Sequence, residues 1–362
     1  MHAFAYHWSY HRRIGPTVRR AFTGTDAAGC VLVGLFLLTL FAVGAGGVRE
    51  GNKQGRCLSN LGRIVYASTI HAAQDPGEMA IPTHPSFTEQ NPHEPHYFGA
   101  YEWGGKSGRG QTDHFGDKPG DPVNSRWGTR AGQGPARRPI NRILYGDSIP
   151  DYTKNPGENN ANWLADTQAD LDVFRCPSDS GYSGIHSPAF RDEKLTAYDH
   201  FGTSYAANSF FVGVFGENIM NANGPFLHRL SDIVAPSTTI GYQENNGRFA
   251  WAAAEDSCDF ISGIAGTVRS WHGKDWTFNT AFIDGHADTM YMRGYVNATL
   301  SYYPPFTEGD RSSQDERAQS YRCIVIRGER WRKDTLPADF VFTSVTRSPN
   351  SGDRAGYEDG IE

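Results

Sequence analysis

The longest apolar stretch of the chain lies close to its N-terminus. Residues 27–48 contain no charged side chain, and about 20 such residues are enough for a helix to cross the hydrocarbon core of a bilayer. Four arginines precede the stretch, and an excess of arginine marks the cytoplasmic side of a span. These arginines are Arg12, Arg13, Arg19 and Arg20. The pattern predicts a single-pass anchor in the cytoplasmic (inner) membrane with an extracytoplasmic, periplasmic body. The alternative is a secretory signal peptide cleaved near Ala45-Gly46-Gly47.

Helical periodicity continues beyond the apolar stretch. One stripe of positions, repeated every three or four residues, contains Leu58, Leu61, Ile64 or Val65, Ser68 and Ala72. Asn60, Arg63 and His71 lie off that stripe. Pro76-Gly77 should end the helix near residue 74. We therefore predict one N-terminal helix over residues 22–75, transmembrane to about residue 48, which the weak helix formers Gly44, Gly46 and Gly47 could melt locally.

Strand-like patterns occur mainly in the second half of the chain. Residues 277–283 and 286–292 flank Asp284-Gly285, which predicts a β-hairpin whose two-residue loop needs positive φ at both positions. Further strand candidates are residues 205–214, 238–243 and 321–326. Strands that follow one long helix predict an α+β fold with an antiparallel β-sheet.

The remaining chain divides by composition. Residues 97–139 are rich in Gly and polar residues around Trp103 and Trp127, and we expect them to decorate the sheet without a core of their own. The predicted segments are a basic leader (1–21), the helix (22–75), a loop-rich insertion (76–175), a β-rich C-terminal domain (176–343) and a disordered tail (344–362).

The charge of the chain argues against one class of partner. The formal net charge is −6, and because residues 1–21 carry four arginines and no acid, removing them leaves −10. A body that acidic, without a face rich in Lys and Arg, does not fit a nucleic-acid partner.

The five cysteines are compatible with disulfides formed in an oxidising compartment. Cys30 lies within the apolar stretch, and no pair has the CxxC spacing of a metal or redox motif. The four others follow the predicted span, an even number that allows two disulfides. They are Cys57, Cys176, Cys258 and Cys323, and the sequence leaves all three pairings open.

The residues before the apolar stretch carry a specific resemblance. The run from Arg19-Arg20-Ala21-Phe22-Thr23 to Asp26 resembles the cleavage and methylation motif of prepilins, with Ala21 and Asp26 where that family usually has Gly and Glu. The resemblance implies that a prepilin peptidase cleaves after Ala21. Phe22 then becomes the new N-terminus, which can be methylated. Asp26 would pair with the free amine of Phe22 on a neighbouring subunit, because a carboxylate in an apolar setting needs a partner.

The body resembles a family of type IV pilin-like proteins, related to the pseudopilins of type II secretion, whose C-terminal domain is named for a His-X9-Asp-Gly signature. Arg56–Leu61, Phe174–Asp179 and Thr203–Asn208 are similar to recurrent segments of that family. His272 and Asp284-Gly285 match the signature, with eleven intervening residues instead of nine. Because Cys57 and Cys176 fall within these segments, the resemblance suggests a Cys57–Cys176 disulfide, with Cys258 and Cys323 as the second pair.

The expected function is therefore structural and not enzymatic. The resemblance implies a subunit that assembles with other pilin-like subunits through its apolar helix, within the lipid bilayer and then in a pilus-like fibre or secretion pseudopilus. The alternative is a membrane-anchored ectodomain that binds glycan or metal, or acts as a hydrolase, with its anchor never cleaved.

Few residues suggest other chemistry. His272 and Asp284 could form a metal-binding or hydrogen-bonded pair at the base of the hairpin, or His272 could bond a backbone carbonyl while Asp284 fixes its turn. Asp284 and Asp288 are weak candidates for calcium ligands, and no other cofactor is expected.

Two further motifs are interpreted as ordinary loop sequence. His84, His93 and His96 lie in a Pro-rich segment and are expected to be solvated loop residues. Gly105-Lys106-Ser107 does not satisfy the spacing of a phosphate-binding loop.

Overall fold

The computed structural model of the protein describes residues 24–85, 100–110, 125, 127–152, 160–181, 194–208, 224–248, 268–292, 295–296, 326–327, 330–333 and 335. Within residues 24–47 it describes side chains only at 28, 31–36 and 47. The predictions for Ala21, Phe22, Cys258, Cys323 and the tail (344–362) lie outside the described residues, as do the side chains of Asp26 and Cys30. The chain divides into two compact units, Met1–Arg49 and Glu50–Glu362.

The first element is a long helix, α1, which runs without a break over Gly24–Gln74 (51 residues). The prediction that Gly44, Gly46 and Gly47 melt it locally is wrong. A glycine costs only about 1 kcal/mol relative to alanine in a helix interior, so the helix continues through these positions. Among the helices that the structure describes, none is both long and apolar enough to cross a membrane.

The second half of α1 buries one face. Leu61 and Ile64 are fully buried, and Ser68 and Ala72 are nearly so, as the predicted stripe requires. The stripe extends towards the N-terminus through Cys57 to Gln54, whose Nε2 donates to Thr289 Oγ1 at 2.9 Å. Asn60 is also buried, against the prediction, because its amide donates to the carbonyl oxygens of Asp172 and Arg175.

Four strands form one antiparallel sheet in chain order. They are β1 (Tyr205–Ala207), β2 (Ile240–Glu244), β3 (Thr277–Phe282) and β4 (Ala287–Tyr291). A separate two-stranded sheet pairs β5 (Tyr295–Val296) with β6 (Ile326–Arg327). Every residue of β1 and β2 is buried, which indicates that the sheet is covered on both faces.

The predicted hairpin is present, but its turn differs from the prediction. Thr280 pairs with Asp288 and Ala281 with Ala287, while the amide of Phe282 donates to His286 O and that of Gly285 to Phe282 O. The loop thus holds three residues, and of these only Gly285 has a positive φ (102°). A three-residue loop with glycine in the left-handed position needs no positive φ at Asp284.

Short helices complete the described part. They are α2 (Pro139–Tyr145), α3 (Asn160–Gln168) and α4 (Ala197–Phe201). The side chain of Thr196 caps α4 by accepting from the amide of Asp199. Short 3₁₀ turns lie at Thr129–Ala131, Pro135–Arg137, Gly146–Ser148, Asp172–Phe174, Leu230–Asp232 and Asn245–Gly247.

The insertion packs on the sheet as expected, but it also contributes large side chains to the main core, which the sequence pattern did not predict. Trp103 is buried, with its ring centroid 4.6 Å from that of Tyr242 in β2, and Tyr101 stacks on Phe201 of α4. A few large aromatic side chains each bury enough surface to anchor a polar segment.

Arg138 holds this segment together from inside. It is fully buried, and its guanidinium donates to the carbonyl oxygens of five residues. These residues are Gln133, Tyr101, Gly104, Phe201 and Trp127. Burial lowers the pKa of Arg138 to about 10, partly offset by the charges of Glu102 and Asp166, so the side chain stays charged and satisfies a cluster of loop carbonyls.

Candidate functional site

The most distinctive group of side chains lies where α1 meets the end of the sheet. A disulfide joins Cys57 of α1 to Cys176, which follows the turn Asp172–Phe174. His272, from the loop before β3, and Glu244, the last residue of β2, adjoin it. The potential ligand atoms of these four buried residues all lie within 4.8 Å of one another.

His272 is held between two carboxylates. Its Nδ1 lies 2.7 Å from Oε1 of Glu50 on α1, and its Nε2 lies 2.8 Å from Oε1 of Glu244. The same Nε2 is 3.7 Å from Cys176 Sγ. Both ring nitrogens are therefore engaged, so His272 bonds neither a backbone carbonyl nor Asp284, and both readings made from the sequence are wrong for this residue.

Each carboxylate has further partners. Glu244 is fully buried, and Asn279 donates to it twice, from its backbone amide at 3.2 Å and from Nδ2 at 2.9 Å. Glu50 accepts from Ser178 Oγ at 2.5 Å and from Lys53 at 3.2 Å. A buried carboxylate needs such donors because desolvation makes an unpartnered charge costly.

The charges of the cluster favour a protonated imidazole. Burial alone would lower the pKa of His272, but the hydrogen bonds and negative charges of Glu244 and Glu50 outweigh it and raise that pKa. Burial would raise the pKa of Glu50, yet hydrogen bonds from Ser178, His272 and Lys53 bring it to about 2. The two carboxyl groups thus oppose the effect of burial on His272.

Hydrogen bonds fix the backbone that carries Cys176. The amide of Cys176 donates to Ser204 Oγ at 3.0 Å, and Ser204 Oγ donates to Asp179 at 2.6 Å. Asp179 also accepts from the amides of Gly181, Ala197 and Tyr198. The segments 174–179 and 203–208 therefore lie side by side at this site.

A cavity leads to the cluster. Its volume is about 290 Å³, and its lining includes Cys176 and Pro177. The other lining residues are Arg56, Asp172, Arg175, Asp179 and Thr196. Cys176 is therefore the member of the cluster that the cavity approaches.

The hairpin residues singled out from the sequence lie apart from the cluster. Asp284 accepts from the amide of His286 and lies 2.6 Å from its Nδ1, so it fixes its own turn as predicted. Asp288 pairs with Arg330 at 3.2 Å. Neither belongs to the group of clustered ligands.

His84 is buried and not solvated, so the prediction of a solvated loop histidine is wrong for this residue. Burial, with the charges of Arg138 and Arg137, lowers the pKa of His84 to about 3. His93 and His96 lie outside the described residues.

Sequence reasoning missed two members of the site. Glu50 lies one turn before Gln54 on the face of α1 that contacts the body, and the sequence pattern did not single it out. Glu244 precedes Asn245-Asn246-Gly247, a run typical of an exposed turn. No local signal distinguishes it from a surface carboxylate, because its partners are distant in sequence.

The first half of α1 has a different surface. Val31, Leu32, Val33, Leu35 and Phe36 each expose 55–67% of their surface. Consecutive exposed apolar side chains on a helix are typical of an interaction with lipid or with other helices.

Comparison with known proteins provides no further assignment. No protein-family model matches the chain, and no curated protein or solved structure is significantly similar to it.

Proposed function

We propose that this protein is a structural pilin-like subunit, a pseudopilin. A prepilin peptidase cleaves it after Ala21, and it assembles through its apolar helix into a pilus-like fibre or a secretion pseudopilus. The body stays on the extracytoplasmic side of the cytoplasmic membrane. No residue is catalytic in this function.

The observation that carries the proposal is the change of surface along one unbroken helix, α1. Residues 31–36 expose apolar side chains, whereas Leu61 and Ile64 are fully buried. A helix longer than 50 residues is far beyond the mean of about 11–12 residues in globular domains. Such a helix suits a subunit whose N-terminal half contacts lipid or other subunits while its C-terminal half supports a globular body.

The attachment of the C-terminal half of α1 to the body supports the same function. The Cys57–Cys176 disulfide links the helix covalently to the segment after Asp172–Phe174, and Glu50 and Gln54 bond residues 178, 272, 279 and 289. A subunit that is extracted from a membrane by its helix needs this connection, because the pull on the helix must move the body with it.

The sequence before α1 supplies the processing step. Ala21-Phe22 resembles the prepilin cleavage junction, with alanine in place of the usual glycine, and follows the basic leader. Asp26 would offer a carboxylate to the new amine of Phe22 on a neighbour. In an apolar setting such a pair is strong, and losing one partner leaves an uncompensated charge.

The processing step is tested by Ala21→Leu. A small residue is expected at the end of the leader, so leucine should block cleavage and leave the full-length chain in the membrane fraction of cells with a prepilin peptidase. The matched control is Ala28→Leu, the same change within the apolar stretch, which should be processed normally. Processing of Ala21→Leu at the wild-type rate would contradict the proposal.

A further inference from the structure

The residues around the Cys57–Cys176 disulfide are also a set of metal ligands. When the disulfide is reduced, two thiolates, the imidazole Nε2 of His272 and the carboxylate of Glu244 converge on one point, since these atoms lie within 4.8 Å of one another. Two sulfurs, one nitrogen and one oxygen are ligands that Zn²⁺ accepts in tetrahedral sites, at about 2.3 Å to sulfur and about 2.0–2.2 Å to nitrogen and oxygen.

The surroundings of His272 resemble those of a metal-bound histidine. A ligating histidine usually donates its other ring N–H to a carboxylate, which fixes the tautomer and the ring orientation. Here Nδ1 lies 2.7 Å from Glu50 Oε1, which leaves Nε2 pointing at Glu244 and Cys176. Asn279 orients Glu244 in the same way, through its amide and its side chain.

The burial of these four side chains favours a bound cation when the disulfide is reduced. Glu244 is fully buried, and the side chain of His272 is 2% exposed. In the reduced state two thiolates would add two negative charges, which a buried site tolerates only with protons or a cation. A divalent metal provides that compensation and coordinates all four groups.

We infer that Cys57, Cys176, His272 and Glu244 form a two-state site, which binds Zn²⁺ in the dithiol form and releases it when the disulfide forms. Glu50 is a positioning residue that holds His272 through Nδ1. The newly made chain, before oxidation, is the form that carries the metal. This inference does not rest on the proposed function, because it concerns the body whether or not the leader is cleaved.

The exchange balances with a disulfide oxidant as co-reactant. One thiolate of the site attacks the oxidant's S–S bond, which forms a mixed disulfide and releases the first oxidant sulfur as a thiolate. The second thiolate then attacks the protein sulfur of that mixed disulfide and displaces the second oxidant sulfur. The Cys57–Cys176 bond forms while the oxidant's bond breaks, so two electrons pass to the oxidant, whose sulfurs take protons from water. Zn²⁺ leaves with its charge, and the freed Nε2 of His272 takes a proton that it shares with Glu244. The cavity beside Cys176 offers the approach for the oxidant.

The test uses the full chain in detergent micelles with Cys30, Cys258 and Cys323 changed to serine, so that only the cluster can offer thiolates. Co²⁺ is the probe, because its absorption reports tetrahedral geometry and thiolate ligation, and Zn²⁺ competition gives the affinity. We expect the reduced chain to bind one Co²⁺ with both signatures and the oxidised chain to show neither. His272→Gln and Cys176→Ser should lose the signatures.

Glu50→Gln separates positioning from ligation. It should keep the tetrahedral thiolate spectrum while weakening Zn²⁺ binding about 10–100-fold, the usual effect of removing an outer carboxylate. Asp288→Asn, a carboxylate of the same sheet that pairs with Arg330, is the matched control and should bind as tightly as the background chain. Equal affinity of Glu50→Gln and Asp288→Asn would overturn the positioning role.

The site itself would be overturned by a reduced chain that binds no Co²⁺ or Zn²⁺, or by binding that survives Cys176→Ser unchanged. If a ligand variant fails to fold, X-ray absorption of the reduced background chain loaded with Zn²⁺ decides instead. Two sulfur and two nitrogen or oxygen neighbours are expected, and a shell without sulfur would contradict the inference.

Discussion

At the scale of single residues, this protein is organised by buried polar side chains. Arg138 satisfies five carbonyl oxygens, and Glu50 and Glu244 hold His272. Sequence patterns assign such residues to the surface, because their buried environment comes from segments far away in the chain. The apolar positions of α1 were predictable, whereas Asn60, Arg138 and Glu244 were not.

His84 gives a prediction about pH. Its folded pKa is about 3, below the 6.5 of an unperturbed histidine, so between these values the unfolded chain binds a proton that the folded chain does not. The stabilising contribution of neutral His84 is therefore present above pH 6.5 and is lost as the pH falls towards 3, by at most about 1.4 kcal/mol per pH unit.

His84→Gln should remove this dependence. The difference in free energy of unfolding between wild type and variant, measured in denaturant from pH 7.5 to 4, should be constant above pH 7 and shift in favour of the variant in acid. The measurements above pH 7 are the internal control, since His84 is neutral there in both the folded and the unfolded chain and the substitution then makes a contribution that does not change with pH. Parallel curves over the whole range would show that His84 does not remain neutral in the folded protein.

At the scale of elements, the length and ends of α1 follow from its sequence, but its contacts do not. The apolar stretch, the stripe to Ala72 and the terminating Pro76 predict one helix, and α1 ends at Gln74. The hairpin was equally predictable from the sequence, because Asp284-Gly285 is a strong turn signal. The number of residues in its loop was not, since it depends on the register between β3 and β4.

The disulfide gives a prediction at the same scale. Cys57 and Cys176 are 119 residues apart, and in the chain-entropy account closing a loop of that length stabilises the fold by about 5 kcal/mol. The double variant Cys57→Ser/Cys176→Ser should lose stability of that order in chemical denaturation. The buffer contains a chelator, so that no metal substitutes for the bond.

Reduction of the wild-type chain provides the matched comparison. With the same chelator, and with Cys258 and Cys323 changed to serine in both chains, a thiol reductant should lower the free energy of unfolding of the chain that keeps the wild-type pair Cys57 and Cys176 and leave that of the double variant unchanged. An unchanged wild type would mean that the bond does not restrain the unfolded chain, and that the attachment of α1 depends on its noncovalent contacts.

At the scale of the whole molecule, the proposal concerns assembly. Asp26→Asn should still insert and be cleaved, because losing a charge makes the helix more apolar and the junction lies upstream. Assembly should fail or slow, because the amine of Phe22 then lacks its counter-charge in a low-dielectric setting. Cross-linking of membrane fractions reports the oligomers.

Asp26→Glu is the paired control. It keeps the negative charge and gives this position the longer side chain that prepilins usually have there. It should assemble as well as the wild type or better. Assembly of Asp26→Asn at wild-type level would reduce Asp26 to a marker of the membrane boundary and remove the charge pairing from the proposal.

The N-terminus of the mature chain tests the central claim most directly. Mass spectrometry of the protein, isolated from the membranes of cells with a prepilin peptidase, should find an N-terminal peptide that begins at Phe22, with or without a methyl group on its amine, and no peptide from residues 1–21. An uncleaved N-terminus, or one created after Ala45-Gly46-Gly47 by a signal peptidase, would contradict the account.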